Sequence, residues 1–262
     1  MKKYISVLAL DVKNTIFKVL GILILMSVVQ IGYFYMYLRK EIEWWQSVVA
    51  SWKAPDMVAS FDHMLTESRM EIFFMISVAL VGAVLIRGCS EYGKVRSKFT
   101  WHRLQIERRQ VFGVWAAYRV FCMALVAAWQ ILLLIVMDGM YQEIWAQGYA
   151  PQSLFLACYG NEFMHGLLPL SDTFYAVRLV CCLLFWGMGT AYVGYAGFAE
   201  HQQGCSIVIV GILFTVILFP MTLTDLWFEV LYMAVIVFWS IGIVISVKGS
   251  LGEHYDGPNS IK

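Results

Sequence analysis

The chain has 262 residues, of which 60% are hydrophobic and 14% charged, with a mean hydropathy of +0.69. A soluble domain is nearer half apolar and a quarter charged, so the composition is that of an integral membrane protein. The formal net charge of +1 gives no overall field suited to nucleic acid or to an acidic substrate, and any charge that matters acts locally.

In chain order, the first apolar run, "YISVLAL", is broken by Asp11 and Lys13 and lacks a small-residue cleavage site after it, unlike a secretory leader. At helical spacing Ile5, Leu8, Val12 and Ile16 share one face, and Lys3, Asp11, Asn14 and Lys18 share the other. Residues 1–18 are therefore expected to form an interfacial helix on the inner leaflet, before the first span turns inward. Crossing a hydrocarbon core of about 30 Å takes about 20 apolar residues in a helix, because lipid offers no partner to an open backbone. Six stretches approach that length, at residues 19–38, 70–86, 111–137, 174–198, 205–223 and 226–247. The second is short between Glu71 and Arg87, so its helix stands upright or thins the bilayer.

Lysines and arginines at the helix ends set the orientation. With the N-terminus inside, thirteen are cytoplasmic: Lys2, Lys3, Lys13, Lys18, Arg87, Lys94, Arg96, Lys98, Arg103, Arg108, Arg109, Lys248 and Lys262. Four are external: Arg39, Lys40, Lys53 and Arg69. Both termini are expected to be cytoplasmic. The first external loop carries Trp44, Trp45 and Trp52, which suit the headgroup zone, and is expected to lie on the outer surface as a partial helix up to Pro55. The loop at 138–173 is too broken by glycine and proline for a span and too apolar for a solvated loop, so a re-entrant or surface-lying element is expected there. No soluble domain and no internal repeat is evident, and residues 1–262 form one membrane domain.

Motifs for chemistry are sparse. Cys89, Cys122, Cys158, Cys181, Cys182 and Cys205 include no C-x-x-C pair and read as small hydrophobes. His63, His102, His165, His201 and His254 lack metal-ligand spacing, and there is no phosphate-cradling G-x-x-x-x-G-K-[ST] loop and no G-x-S-x-G elbow. No cofactor is expected on this chain, and any ATP is hydrolysed by another.

Charges inside the spans are functional candidates by default. Arg119 and Arg178 lie within about two turns of their helix ends and are expected to snorkel to the headgroups. Glu229 falls at the level of Arg178, which admits a structural ion pair. Gln130 is polar at mid-depth, facing either a cavity or a neighbouring helix. Gly187, Thr190, Ala191 and Gly194 have the spacings that let helices approach closely.

Residues 88–110 hold six basic residues, Lys94, Arg96, Lys98, Arg103, Arg108 and Arg109, against Glu91 and Glu107, with Phe99, Trp101, Leu104 and Ile106 interleaved. The positive-inside rule and anionic lipid account for charge. Apolar knobs flanked by charges are what a protein-docking helix needs. The stretch "FTWHRLQIERRQVFGVWAAY" resembles the "YTLRRL" pattern, with its turn and start of span three, in permease subunits of ATP-binding-cassette (ABC) type-2 exporters. Thr100, Arg103 and Leu104 fall on matching positions, and Phe99 replaces tyrosine. "HGLLPLSD", residues 165–172, is similar to an external segment before span four in those proteins. Gln105 and Glu107 stand where that family has a turn with proline or glycine and serine, so the helix ends later here.

The resemblance implies an all-α membrane protein with an N-terminal interfacial helix, six spans and a cytoplasmic coupling helix. The coupling contact would be made by Phe99, Thr100, Trp101, His102, Arg103, Leu104, Gln105, Ile106, Arg108 and Arg109. It further implies a separate ABC ATPase carrying ATP and Mg, a second permease copy or paralogue, and a bacterial inner membrane. A membrane-embedded enzyme would need paired polar catalytic groups at one depth. A scaffold or immunity protein would share the hydropathy without depending on an ATPase.

Overall fold

The structure is a computed structural model that describes residues 2–52, 60–90, 108–144, 153–170, 172–199, 204–221 and 226–252. Every element among the described residues is a helix: α1 (Lys2–Trp52), α2 (Phe61–Glu67), α3 (Met70–Ser90), α4 (Arg108–Ile144), α5 (Ser153–Gly160), α6 (Glu162–Leu167), α7 (Thr173–Ala199), α8 (Cys205–Leu218) and α9 (Leu226–Gly252). Five segments are long and apolar enough to cross a membrane, Asp11–Trp44, Met70–Gly88, Gln110–Ile144, Thr173–Ala196 and Trp227–Val247. Phe17, Met36, Trp227 and Phe238 stand exposed on these helices, as lipid-facing side chains do. The chain is a multi-pass helical membrane protein.

Side-chain contacts fix the direction of each helix. At the end where α3 stops and α4 starts, here called lower, Thr15 of α1 meets Tyr118 of α4 at 2.8 Å, the Phe112 and Tyr195 rings lie 5.9 Å apart, and Tyr192 of α7 meets Ser246 of α9 at 2.9 Å. At the upper end Phe61 of α2 packs on Phe34 and Tyr141, and Phe74 of α3 packs on Phe163 of α6 and on Phe219. Thus α1, α4 and α8 run upward and α3, α7 and α9 downward. The start of α1, the α3–α4 junction and the end of α9 share the lower end. Helix α7 is central, packing on α3, α4, α8 and α9.

Several expectations change. Residues 1–18 do not form a separate interfacial helix: α1 is continuous over 51 residues, about 75 Å at 1.5 Å per residue. That exceeds the whole bilayer of about 45 Å. Asp11, expected on the watery face, is buried. Asp11, Thr15, Val19 and Leu23 recur every four residues and form the packed stripe. The tryptophan-bearing segment is helical as far as Trp52, but as an extension of α1.

Span five also differs. Helix α8 has 14 residues, about 21 Å, short of the hydrocarbon core. It nonetheless connects the two ends, from Gly204 beside Tyr192 to Phe219 beside Trp186 and Phe74. Gly204 adopts φ 84°, a left-handed conformation that only glycine takes at little cost, and this starts α8.

Between spans three and four, α4 continues to Ile144, and α5 and α6 pack against α2, α4 and α7, so protein covers part of their surface. Asn161 caps α6 by accepting from Met164 N at 3.0 Å, and its Nδ2 donates to Thr66 Oγ1 of α2 at 3.0 Å. In the "HGLLPLSD" stretch, Asp172 accepts from Phe174 N at 2.9 Å and opens α7.

Candidate functional site

Residues Phe99, Thr100, Trp101, His102, Arg103, Leu104, Gln105 and Ile106 lie outside the described residues; Arg108 and Arg109 open α4. What the structure does build is two layers of buried charge, at the upper and lower ends of α7.

The upper layer forms where α8 gives way to α9. A helix end leaves carbonyls without intrahelical donors, and in an apolar setting each needs another partner. Arg178 supplies it. Its Nη2 lies 3.2, 3.0 and 3.1 Å from the carbonyl oxygens of Leu218, Phe219 and Met221, and its Nη1 donates to Glu229 Oε1 at 2.9 Å. Glu229 stands in the first turn of α9, where the helix dipole favours a carboxylate. The rings of Tyr175, Phe219 and Tyr232 surround the guanidinium at 5.6, 5.9 and 5.1 Å. Arg178 and Glu229 are 1% and 3% exposed. The sequence-based pairing of these residues holds, and the expectation that Arg178 snorkels is overturned. The reason is that α8 ends beside it, offering carbonyls closer than any headgroup.

The lower layer lies twelve residues further along α7, about 18 Å at helical rise. Here α4 and α7 touch backbone to backbone: a Cβ on Gly187 would fall 2.6 Å from both Cα and N of Val120. The small-residue spacing in α7 thus serves close packing, as its pattern implied. That approach lets Arg119, 0% exposed, donate from Nη1 to the Thr190 carbonyl while lying over the Trp115 ring at 5.8 Å. Arg119 does not snorkel either. At the same end Thr15 of α1 meets the Tyr118 hydroxyl, and a Cβ on Gly88 of α3 would fall 2.5 Å from Thr15 Cγ2 and 4.0 Å from Asp11 Oδ1.

Between the layers Gln30 and Gln130 exchange reciprocal amide hydrogen bonds at 3.0 and 3.1 Å, so Gln130 bonds to a neighbouring helix rather than facing a cavity. Trp129 Nε1 donates to Ser27 Oγ at 2.8 Å one turn away. Cys158 of α5 is buried, and burial foremost, with the Asp138 carboxylate second, pushes its thiol above the usual range. An apolar groove of about 390 Å³ between α7 and α9, lined by Leu184, Met188, Ile236 and Ile241, offers no charged group. No cluster with the makings of a metal site occurs among the described residues.

The burial of Asp11 and of Arg119 at the same end of the bundle was missed by the sequence reading. The available signal was a carboxylate and an arginine each inside an apolar helical run. Chemically, the upper layer is an anchor where a cation meets its counter-charge and a set of open carbonyls, and the lower one is a junction of α1, α3, α4 and α7. No protein-family model, curated protein or solved structure matches this chain.

Proposed function

We infer that the chain is the permease subunit of an ABC exporter of the type-2 kind, working in a bacterial inner membrane as a dimer with a second copy or paralogue. A separate ATPase, carrying ATP and Mg, docks beneath it. The observation that carries this reading is the basic, aromatic-studded stretch at 99–109, whose Thr100, Arg103 and Leu104 match the coupling pattern of those permeases. Two features support it. The helices flanking that stretch, α3 and α4, are both long and apolar enough to cross a membrane. The alternating directions of α1, α3, α4, α7, α8 and α9 agree with a six-crossing bundle whose fifth crossing is short.

In this reading ATP closes the ATPase dimer, the coupling segments follow, and α1, α3 and α4 tilt against α7, α8 and α9. The two states differ in affinity for ATP, which is what drives the shift. Trp101 and Leu104 are the apolar anchors and Arg103 and Arg108 the orienting charges.

The test is co-purification. Apolar anchors carry a disproportionate share of docking energy, so Leu104→Asp is expected to release the ATPase from the complex, and Arg103→Glu to weaken it in a salt-sensitive way. Retention of the ATPase at the wild-type ratio by Leu104→Asp rules the coupling role out. Anionic lipid attraction alone predicts a change of only about 1 kcal/mol per charge in membrane-surface binding.

A further inference from the structure

Two short helices stand side by side at the upper end, and they turn opposite faces outward. Helix α2 buries Phe61, Met64 and Leu65 and exposes His63, Thr66 and Glu67, as a helix bathed in water does. Helix α5, packed against it, does the reverse. It buries Ser153, Ala157 and Cys158, while Phe155, Leu156 and Tyr159 are about half exposed, and the Phe155 and Tyr159 rings pair edge to face at 5.1 Å. An outward face whose only polar group is one phenol is unfavourable in water and is what lipid requires.

Depth agrees. At the start of α5, Ser153 Oγ donates to Asp138 Oδ1 of α4, two residues beyond Val136, and Leu132, Ile135 and Val136 form an exposed apolar stripe on α4. Helix α5 thus begins at the height where that lipid-facing stripe ends. At its far end α6 stands over α8: a Cβ on Gly166 would lie 3.8 Å from the Phe219 carbonyl, and Phe163 packs on Phe74, which packs on Phe219. Helix α8 is about 21 Å long, and the sequence ahead of it, Glu200, His201, Gln202 and Gln203, is polar, which sets the lower water boundary at its start. A hydrocarbon core of about 30 Å then extends about 9 Å past its upper end, to where α5 and α6 lie.

A segment inside hydrocarbon must also satisfy its own backbone. Carbonyls at the end of α5 are met by protein donors, Ala157 O by Asn161 N at 2.9 Å and Cys158 O by His165 Nδ1 at 3.2 Å. We propose that α5 is embedded in the upper leaflet as a re-entrant helix, with Phe155, Leu156 and Tyr159 against the acyl chains of phospholipid and α2 beside it in water. The lipid boundary runs between two helices that touch, and residues 153–167 enter the bilayer rather than resting on it. This placement does not depend on what the chain transports or on an ATPase beneath it.

The test reads which medium meets α5. In the full chain in lipid nanodiscs, Leu156→Cys carries a nitrobenzoxadiazole fluorophore, with Ile135→Cys on α4 as the lipid-facing reference and Glu67→Cys on α2 as the water-facing one. The wild-type chain, labelled alongside, gives the background from its own cysteines. Phosphatidylcholine brominated on its acyl chains is expected to dim the Leu156 label by roughly half or more of the loss at Ile135, and aqueous iodide by less than roughly half of the loss at Glu67. Iodide reaching Leu156 as it reaches Glu67, with no effect of the brominated lipid, overturns the proposal. So does protection from both quenchers, which would mean that another protein chain covers this face. Phe155→Cys repeats the measurement on the same face, so that a variant lost to misfolding does not decide it.

Discussion

Arg178 and Arg119 are both arginines buried in apolar helices, yet they are served very differently. Arg178 meets a carboxylate, three helix-end carbonyls and three aromatic rings. Arg119 donates to a carbonyl that belongs to an intact helix, and at the same end the buried Asp11 carboxylate has no hydrogen-bond donor. Arg178 is held from two helices at once, by the counter-charge on α9 and by the carbonyls at the end of α8. A buried arginine is thus accommodated in two ways in one bundle, by a counter-charge and helix-end carbonyls at the upper end and by the close approach of two helices at the lower end.

The largest way to break this contrast is at the upper end. Glu229→Gln leaves Arg178 buried without its counter-charge, and breaking a buried pair from one side costs about 3–5 kcal/mol. Thermal unfolding in detergent is expected to show a large drop. The double variant Arg178→Met/Glu229→Leu is expected to recover part of it, with a coupling energy above about 0.5 kcal/mol. Recovery stays partial because the carbonyls of Phe219 and Met221 then lose the Arg178 donor, whereas that of Leu218 keeps the Met221 N–H. Additive losses would mean that the pair does not act as a unit.

A middle-sized effect is expected at the α4–α7 seam. Gly187→Ala places a methyl 2.6 Å from the Val120 backbone and is expected to cost about 1–3 kcal/mol, as overpacking does. Gly21 and Gly242 have nothing within 4 Å of where an added methyl would stand, so alanine there is expected to leave stability equal or higher by up to about 1 kcal/mol. Equal losses at all three positions would remove the argument that α4 and α7 meet backbone to backbone.

Smaller again is the mid-depth amide pair. Gln130→Leu strands Gln30, and interhelical hydrogen bonds in membranes average about 0.6 kcal/mol with a maximum near 1.7. The double Gln30→Leu/Gln130→Leu is expected to return close to wild type, since removing both partners leaves nothing unsatisfied.

How far the sequence reached follows from what periodicity and depth can encode. Apolar run length located five helices, and matching depth alone paired Arg178 with Glu229. Gln130 was left between two readings because one helix does not reveal which neighbour faces it. The snorkelling expectation failed for the same reason: distance to a headgroup is visible in one helix, whereas the open carbonyls of α8 belong to another. At α1 two periodic stripes competed. Ile5, Leu8, Val12 and Ile16 read as the face that rests on the inner leaflet, whereas the stripe that packs on the other helices is Asp11, Thr15, Val19 and Leu23, because the Thr15 hydroxyl finds Tyr118 and the Gly88 backbone leaves room there. Hydrophobicity ranked the faces by water, and a bundle end ranks them by available neighbours.

The smallest effect has the opposite sign and tests the contrast most directly. Asp11→Asn and Glu229→Gln are the same chemical change, carboxylate to amide, made in two buried settings. At Glu229 the change removes a partner from a matched cation. At Asp11 it removes a charge that has no hydrogen bond to lose, and the amide is cheaper to bury than an unmatched carboxylate. Asp11→Asn is therefore expected to raise the unfolding midpoint, by about 0.5 kcal/mol in stability, because the amide still finds no hydrogen-bond partner at this site and so recovers only part of the penalty. Asp11→Ala is a poorer probe, since it also opens a cavity between Thr15 and Gly88. Both amide variants are to be compared in one detergent at one pH, so that the solvent contribution cancels. A drop for Asp11→Asn resembling that of Glu229→Gln would show that Asp11 is matched after all, and the two ends of α7 would then be alike.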